Sequence, residues 1–170
     1  MSTSYRRILV PIDGSPTATR GLDEAIGLCK ATGGSIRVHN VMDDLVFDSG
    51  FESGATYARD VVPELRRRSE QLLEAGRKRV EAAGVAADKV LIECFARRTS
   101  EIVCEQAIAW RADLIVVGTH GRRGVRRMML GSDAEQIVRE APVPVLVVRA
   151  PEAAVASAAS ATAPAIAAVA

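Results

Sequence analysis

The chain lacks an excess of either charge: 22 Lys and Arg face 21 Asp and Glu, a formal net charge of +1 over 170 residues. Generic nucleic-acid binders carry a basic excess, so that class is excluded and any basic patch must be local. Cysteine is scarce as well. Cys29, Cys94 and Cys104 are odd in number and far apart, with no C-x-x-C pair and no His/Cys cluster. A zinc site is therefore not expected, and the three read as small buried hydrophobes in a reducing, cytoplasmic setting. The opening MSTSYRRILVPID lacks the apolar core of a signal peptide. No membrane span is expected either. Residues 150–170 are nearly uncharged, but Ala, Ser and Thr dominate and Pro164 interrupts them. They read as a disordered tail (150–170) behind one domain (1–149).

What is present is alternation. Short apolar runs at Arg6–Asp13, Ser35–Met42, Lys89–Phe95, Asp113–Gly118 and Val145–Val148 read as strands buried on both faces. Helical periods lie between them. Ser15 followed by Pro16 is N-cap chemistry, Ala18, Leu22, Ala25, Ile26 and Cys29 form a stripe, and Gly33-Gly34 stops that helix. A second helix runs from Pro63 to about Gly84, with Leu65, Leu72, Leu73, Gly76, Val80 and Ala83 inward. Its basic triplets, Arg66-Arg67-Arg68 and Arg77-Lys78-Arg79, are interleaved with glutamates, the mark of a solvated, ion-paired face. A third carries Ile102, Val103, Ala107 and Trp110. The fourth spans Ser132–Arg139, with a Ser132/Glu135 capping box and Ala134, Ile137, Val138 and Ala141 buried. Residues 43–60 read as a long excursion over the sheet end. The β-α repeat predicts a three-layer α/β fold: a five-stranded parallel sheet with helices on both faces and ligands at the strand carboxyl ends.

The most informative stretch is Leu114–Ala134, LIVVGTHGRRGVRRMMLGSDA. A buried strand runs into Gly118, then Gly121 and Gly124, and a helix starts near Gly131-Ser132. Glycines bring backbone N–H groups close to an anion, and a helix start adds orphan donors and a positive dipole end. No lysine precedes Ser132, so this is not a P-loop; strand one ends in PIDGSP, so it is not the dinucleotide fingerprint. From these residues alone, any phosphate, or only a tight turn, remains open.

The spacing Gly118-x2-Gly121-x9-Gly131-Ser132 resembles the ATP-binding signature of the universal stress protein family. With it come ILVPIDGS, VVGTHGRRG, LGSDAEQIV and PVPVLVVR, so the resemblance covers about residues 5–149. It implies a flavodoxin- or Rossmann-like sheet of order 3-2-1-4-5. By motif matching it implies that Pro11, Ile12 and Asp13 flank the adenosine and that the Val41 backbone reads the adenine edge. Val117, Gly118, Thr119, His120, Gly121, Arg122, Arg123 and Gly124 would wrap ribose and phosphates. Gly131, Ser132 and Asp133 would meet the terminal phosphates. ATP, or AMP or ADP, is the implied cofactor. Mg²⁺ would be held by the phosphates, with Asp13 reaching it through water and no cage of protein ligands. Asp133 is a departure, since a carboxylate facing the site repels phosphate unless Mg²⁺ intervenes.

The resemblance further implies a homodimer through the uncharged edge strand Val145–Val148 and an ATP-dependent regulatory role in stress with an unknown protein partner, and neither nucleic acid nor membrane. The alternatives are a slow ATPase or phosphotransferase, or an interaction protein with a vestigial site. No general base stands beside a nucleophile, so catalysis beyond weak hydrolysis is not expected and His120 reads as a loop-orienting residue.

Overall fold

The computed structural model describes residues 5–43, 59, 61–94, 97–119 and 130–149. Among the described residues nine elements follow one another: β1 (Arg7–Pro11), α1 (Pro16–Thr32), β2 (Ser35–Asp43), α2 (Val62–Ala82), β3 (Ala86–Cys94), α3 (Thr99–Ala109), β4 (Leu114–Gly118), α4 (Ser132–Glu140) and β5 (Val145–Val148). All strand pairs are parallel and their order is β3-β2-β1-β4-β5, as the family resemblance implies.

Side chains alternate across a strand, so each central strand feeds two cores. Ile8, Val10, Ile36, Val38 and Val116 pack with Leu22, Ile26, Leu73 and Val80 of α1 and α2. Leu9, Ile115 and Val117 pack on the other face with Val103 and Ala107 of α3 and Ala134 and Ile137 of α4. Each of these larger side chains contributes roughly 1.5–3 kcal/mol by leaving water. The unbroken apolar runs ILV and LIVV are the sequence mark of burial on both faces.

The ion-paired face of α2 forms as expected. Glu64 accepts from Arg67 and Arg68, Glu74 from Arg77, and Arg79 reaches Asp23 of α1. All three cysteines are buried and free, and burial, aided by the Asp113 charge, pushes the Cys29 thiol up to about 11. One boundary and one burial differ from expectation. β3 begins at Ala86 rather than Lys89, because Ala86 and Ala87 already pair with Ser35 and Ile36. Val138, expected inside, is 46% exposed. The short α4 lies at the end of its layer and buries only a narrow stripe through Ala134 and Ile137. Among the described residues no helix is long and apolar enough to cross a membrane. The stretch 44–58 and the tail 150–170 lie outside the described residues.

Candidate functional site

β1 and β4 are neighbours, yet α1 leaves β1 toward one face and α4 leaves β4 toward the other. Strands whose crossovers diverge leave a crevice at their carboxyl ends. The opposite ends are stapled shut: the Asp113 carboxylate accepts the Arg6 and Arg7 N–H groups at 2.8 and 3.0 Å. The open end is therefore the candidate site.

On its β1 side the chain turns within four residues. Asp13 Oδ1 accepts the Ser15 N–H at 2.9 Å, and Gly14 has φ +84°, a left-handed conformation that suits glycine. Ser15 is the N-cap of α1: its Oγ accepts the Ala18 N–H at 3.2 Å and lies 3.1 Å from Thr17 Oγ1. Pro11 and Asp13 are half-buried at the crevice and Ile12 is buried.

β2 outruns β1 at this end. Pro11 pairs with His39, the last rung of that ladder, whereas β2 continues to Asp43 against β3. The His39 carbonyl faces β1, accepting the Ile12 N–H at 2.8 Å. Backbone polar groups of alternate residues point the same way along a parallel strand. The N–H and C=O of half-buried Val41 therefore face the space beyond β1, a donor and an acceptor side by side.

On the β4 side, Gly118 does something the motif did not predict. A Cβ there would lie 2.8 Å from the Thr17 carbonyl carbon and 2.9 Å from the Ala18 nitrogen. Gly118 is thus the contact that seats the α1 start against β4, next to Val117. Thr119, buried, donates its N–H to Val148 and accepts the Gly131 N–H at 2.8 Å. That bond pinches the base of the glycine loop. His120, Gly121, Arg122, Arg123 and Gly124 lie outside the described residues; Leu130 packs on the second core.

The Ser132/Glu135 capping box does not form. Gly131, with extended φ −61° and ψ 148°, is the N-cap of α4, the Glu135 N–H bonds its carbonyl, and as a glycine it offers no side chain to cap the helix. Ser132 is the first helical residue and is exposed, so its hydroxyl is not committed to the cap; Asp133 follows, also exposed. Among the described residues no group of three or more His, Cys, Asp or Glu side chains converges as a metal site.

Two polar residues of β2 had no role assigned beforehand, though Asn40 stands at the strand end beside Val41. His39 is fully buried and neither ring nitrogen has a partner; burial, reinforced by the Arg37 charge, lowers its pKa to about 4. Asn40 is buried as well, and its Nδ2 donates to the Ile12 carbonyl at 2.7 Å. Their signal was two polar side chains inside VHNVM, in a strand otherwise apolar there.

A doubly wound parallel sheet, with a pinched glycine loop opening into a helix start at its switch point, defines an α/β protein of the flavodoxin-like class. The chain belongs to the universal stress protein family, whose model matches residues 4–149. A family relative from Staphylococcus aureus is 34% identical over 149 residues, covering 88% of this chain and 87% of its own length. A solved family structure from Burkholderia pseudomallei is 29% identical with a TM-score of 0.69, covering 88% of this chain and 100% of that one. An Arabidopsis thaliana family protein solved with AMP bound shares the fold at a TM-score of 0.64 and 16% identity, over 87% and 94% of the two chains.

Proposed function

We propose that this protein is an adenine-nucleotide-binding regulatory module, with ATP as its ligand. The observation that carries the reading is the backbone bond from Gly131 to Thr119, which brings the two ends of the glycine loop together at an α4 start whose N-cap is a glycine. Orphan N–H donors and the dipole of a helix start suit phosphate. The AMP-bound Arabidopsis relative supports the same ligand class.

In this reading the Val41 N–H donates to adenine N1 while its C=O accepts from the N6 amino group. That pair would be mismatched on guanine, which presents N1–H and O6. Pro11, Ile12 and Asp13 flank the nucleoside, and Val117 and Gly118 close its floor. Thr119 to Gly124, including His120, Gly121, Arg122 and Arg123, wrap ribose and phosphates. Gly131, Ser132 and Asp133 meet the terminal phosphates. Mg²⁺ travels with those phosphates, offsetting Asp133 and reaching Asp13 through water. Occupancy then alters a homodimer built on β5, a cytoplasmic assembly whose regulatory partner responds to stress. β5 carries no charge and Leu146 is 37% exposed, a pairing edge left open.

Calorimetric titration tests this. ATP or AMP should bind in the micromolar range, and Gly121→Val should abolish binding without moving the melting transition. Sedimentation of the same samples should give a dimer that Leu146→Asp converts to monomer. No heat and no thermal shift with either nucleotide would sink the proposal.

A further inference from the structure

The ladder between β1 and β2 ends with a side chain in place of a backbone rung. Ile12 donates its N–H to the His39 carbonyl. In a parallel pair the next bond in this register runs from the Val41 N–H to the Ile12 carbonyl. That bond is not made. The Ile12 carbonyl instead accepts Asn40 Nδ2 at 2.7 Å. Asn40 pays for this with its other amide atom, since Oδ1 is buried without a partner and the residue is only 6% exposed. An orphan acceptor is unfavourable, and a leucine would fill the same volume without one.

We infer that Asn40 is a positioning residue for the nucleotide: its amide occupies the Ile12 carbonyl so that the Val41 N–H stays available to the adenine ring. This rests on the reading of the crevice as an adenine site. The displaced rung is the reason a donor and an acceptor of one residue both face the crevice. Without the amide, the Ile12 carbonyl is left buried and unpaired. The Val41 N–H, already in register, is its natural replacement donor. The ladder then gains one rung and the adenine loses its N1 partner.

Amide hydrogen exchange followed by NMR on the full chain tests this before any substitution. In the free wild-type protein the Val41 N–H should exchange on the order of 100-fold faster than the ladder-bonded His39 N–H, as an unbonded amide does. AMP should slow it. In Asn40→Leu the Val41 N–H should be slow without nucleotide, and AMP should bind about 10-fold more weakly, the loss typical of one hydrogen bond. The nucleotide itself supplies a second readout. Replacing AMP by 1-deaza-AMP, which has carbon at N1, should weaken binding to the wild type but make no difference in Asn40→Leu. A merely loosened crevice would weaken both nucleotides and keep their ratio. Val41 as protected as His39 in the free wild type overturns the inference, as does an unchanged 1-deaza penalty in the variant. Fast Val41 exchange in a protein that takes up no adenine nucleotide would sustain the rung replacement and overturn the nucleotide reading beneath it. The wild-type exchange arm decides the matter even where Asn40→Leu does not fold.

Discussion

Two helices begin at the same end of the sheet, each at a Gly-Ser pair, and they begin differently. At Gly14-Ser15 the serine is the cap, its hydroxyl holding the Ala18 N–H. At Gly131-Ser132 the glycine is the cap and the serine is already helical. Pro16 explains the first case. A residue before proline is driven to extended backbone, the N-cap conformation, and proline suits the first helical position. Ser15 accordingly has φ −70° and ψ 155°. No proline follows Ser132, and Glu135 closes the first turn onto Gly131. One helix start is satisfied from within by Asp13, Ser15 and Thr17. The other has a glycine as its N-cap, and the Gly131 N–H bonds the Thr119 carbonyl beside it.

Gly118 ties the two turns together, so the largest effect should come from breaking it. Gly118→Ala places a methyl against the backbone of Thr17 and Ala18. We expect a loss of about 3 kcal/mol in urea unfolding, at the upper end for overpacking, because backbone cannot swing aside. An unchanged midpoint would mean that β4 and α1 are not held this closely.

Acid should act on the β1 side. His39 bonds Ile12 through its carbonyl while its ring stays neutral, with a folded pKa of about 4 against the ordinary 6.5. Between those values the unfolded chain binds more protons than the folded one. This contribution is therefore complete above pH 6.5, is lost as pH falls, and levels off below 4. The total is roughly 3 kcal/mol, an upper value for so buried a ring. His39→Leu should flatten the stability profile over that window, whatever its absolute stability. Glu64 and Glu74, held at about 2 by Arg67 with Arg68 and by Arg77 with Lys89, titrate in a lower window and remain in the variant. An unchanged slope between pH 6.5 and 4 would remove His39 from the account.

The finest test sets the two serines against each other. Ser15→Ala should cost about 1–2 kcal/mol of stability as a lost cap. Ser132→Ala should change stability by less than about 0.5 kcal/mol, as exposed sites do. It should weaken AMP or ATP binding by up to about 10-fold, the worth of one phosphate hydrogen bond. Equal stability losses at both positions would erase the distinction between the turns.

Much of this was legible beforehand because it is local. Ser15-Pro16 and the stop at Gly33, which has φ +69°, need only neighbouring residues. The stripe of α1 is buried throughout, from Ala18 to Cys29, because a 3.6-residue period leaves few choices. Failures came where a local rule had two solutions. Ser132/Glu135 satisfies a capping box on paper, but the helix started one residue early. Val138 lies on a plausible apolar face, but the layer ends before covering it. In the candidate site, Pro11, Asp13 and Val41 were picked out by motif. Gly118 was picked out too, for the ribose and phosphates; that it also seats α1 was not legible. Asn40 and His39 looked like ordinary members of a strand.

The sequence by itself determined the alternation of strands and helices, the two-sided burial of the central strands and the presence of a glycine loop before a helix. Those are matters of period and composition, carried by residues a few positions apart. Only the tertiary structure decided which backbone groups go unpaired. The Val41 N–H faces the crevice because β2 runs past the end of β1 and because Asn40 reaches the Ile12 carbonyl 28 residues away. A rung is made or withheld by two strands in register, and no stretch of one strand can show which.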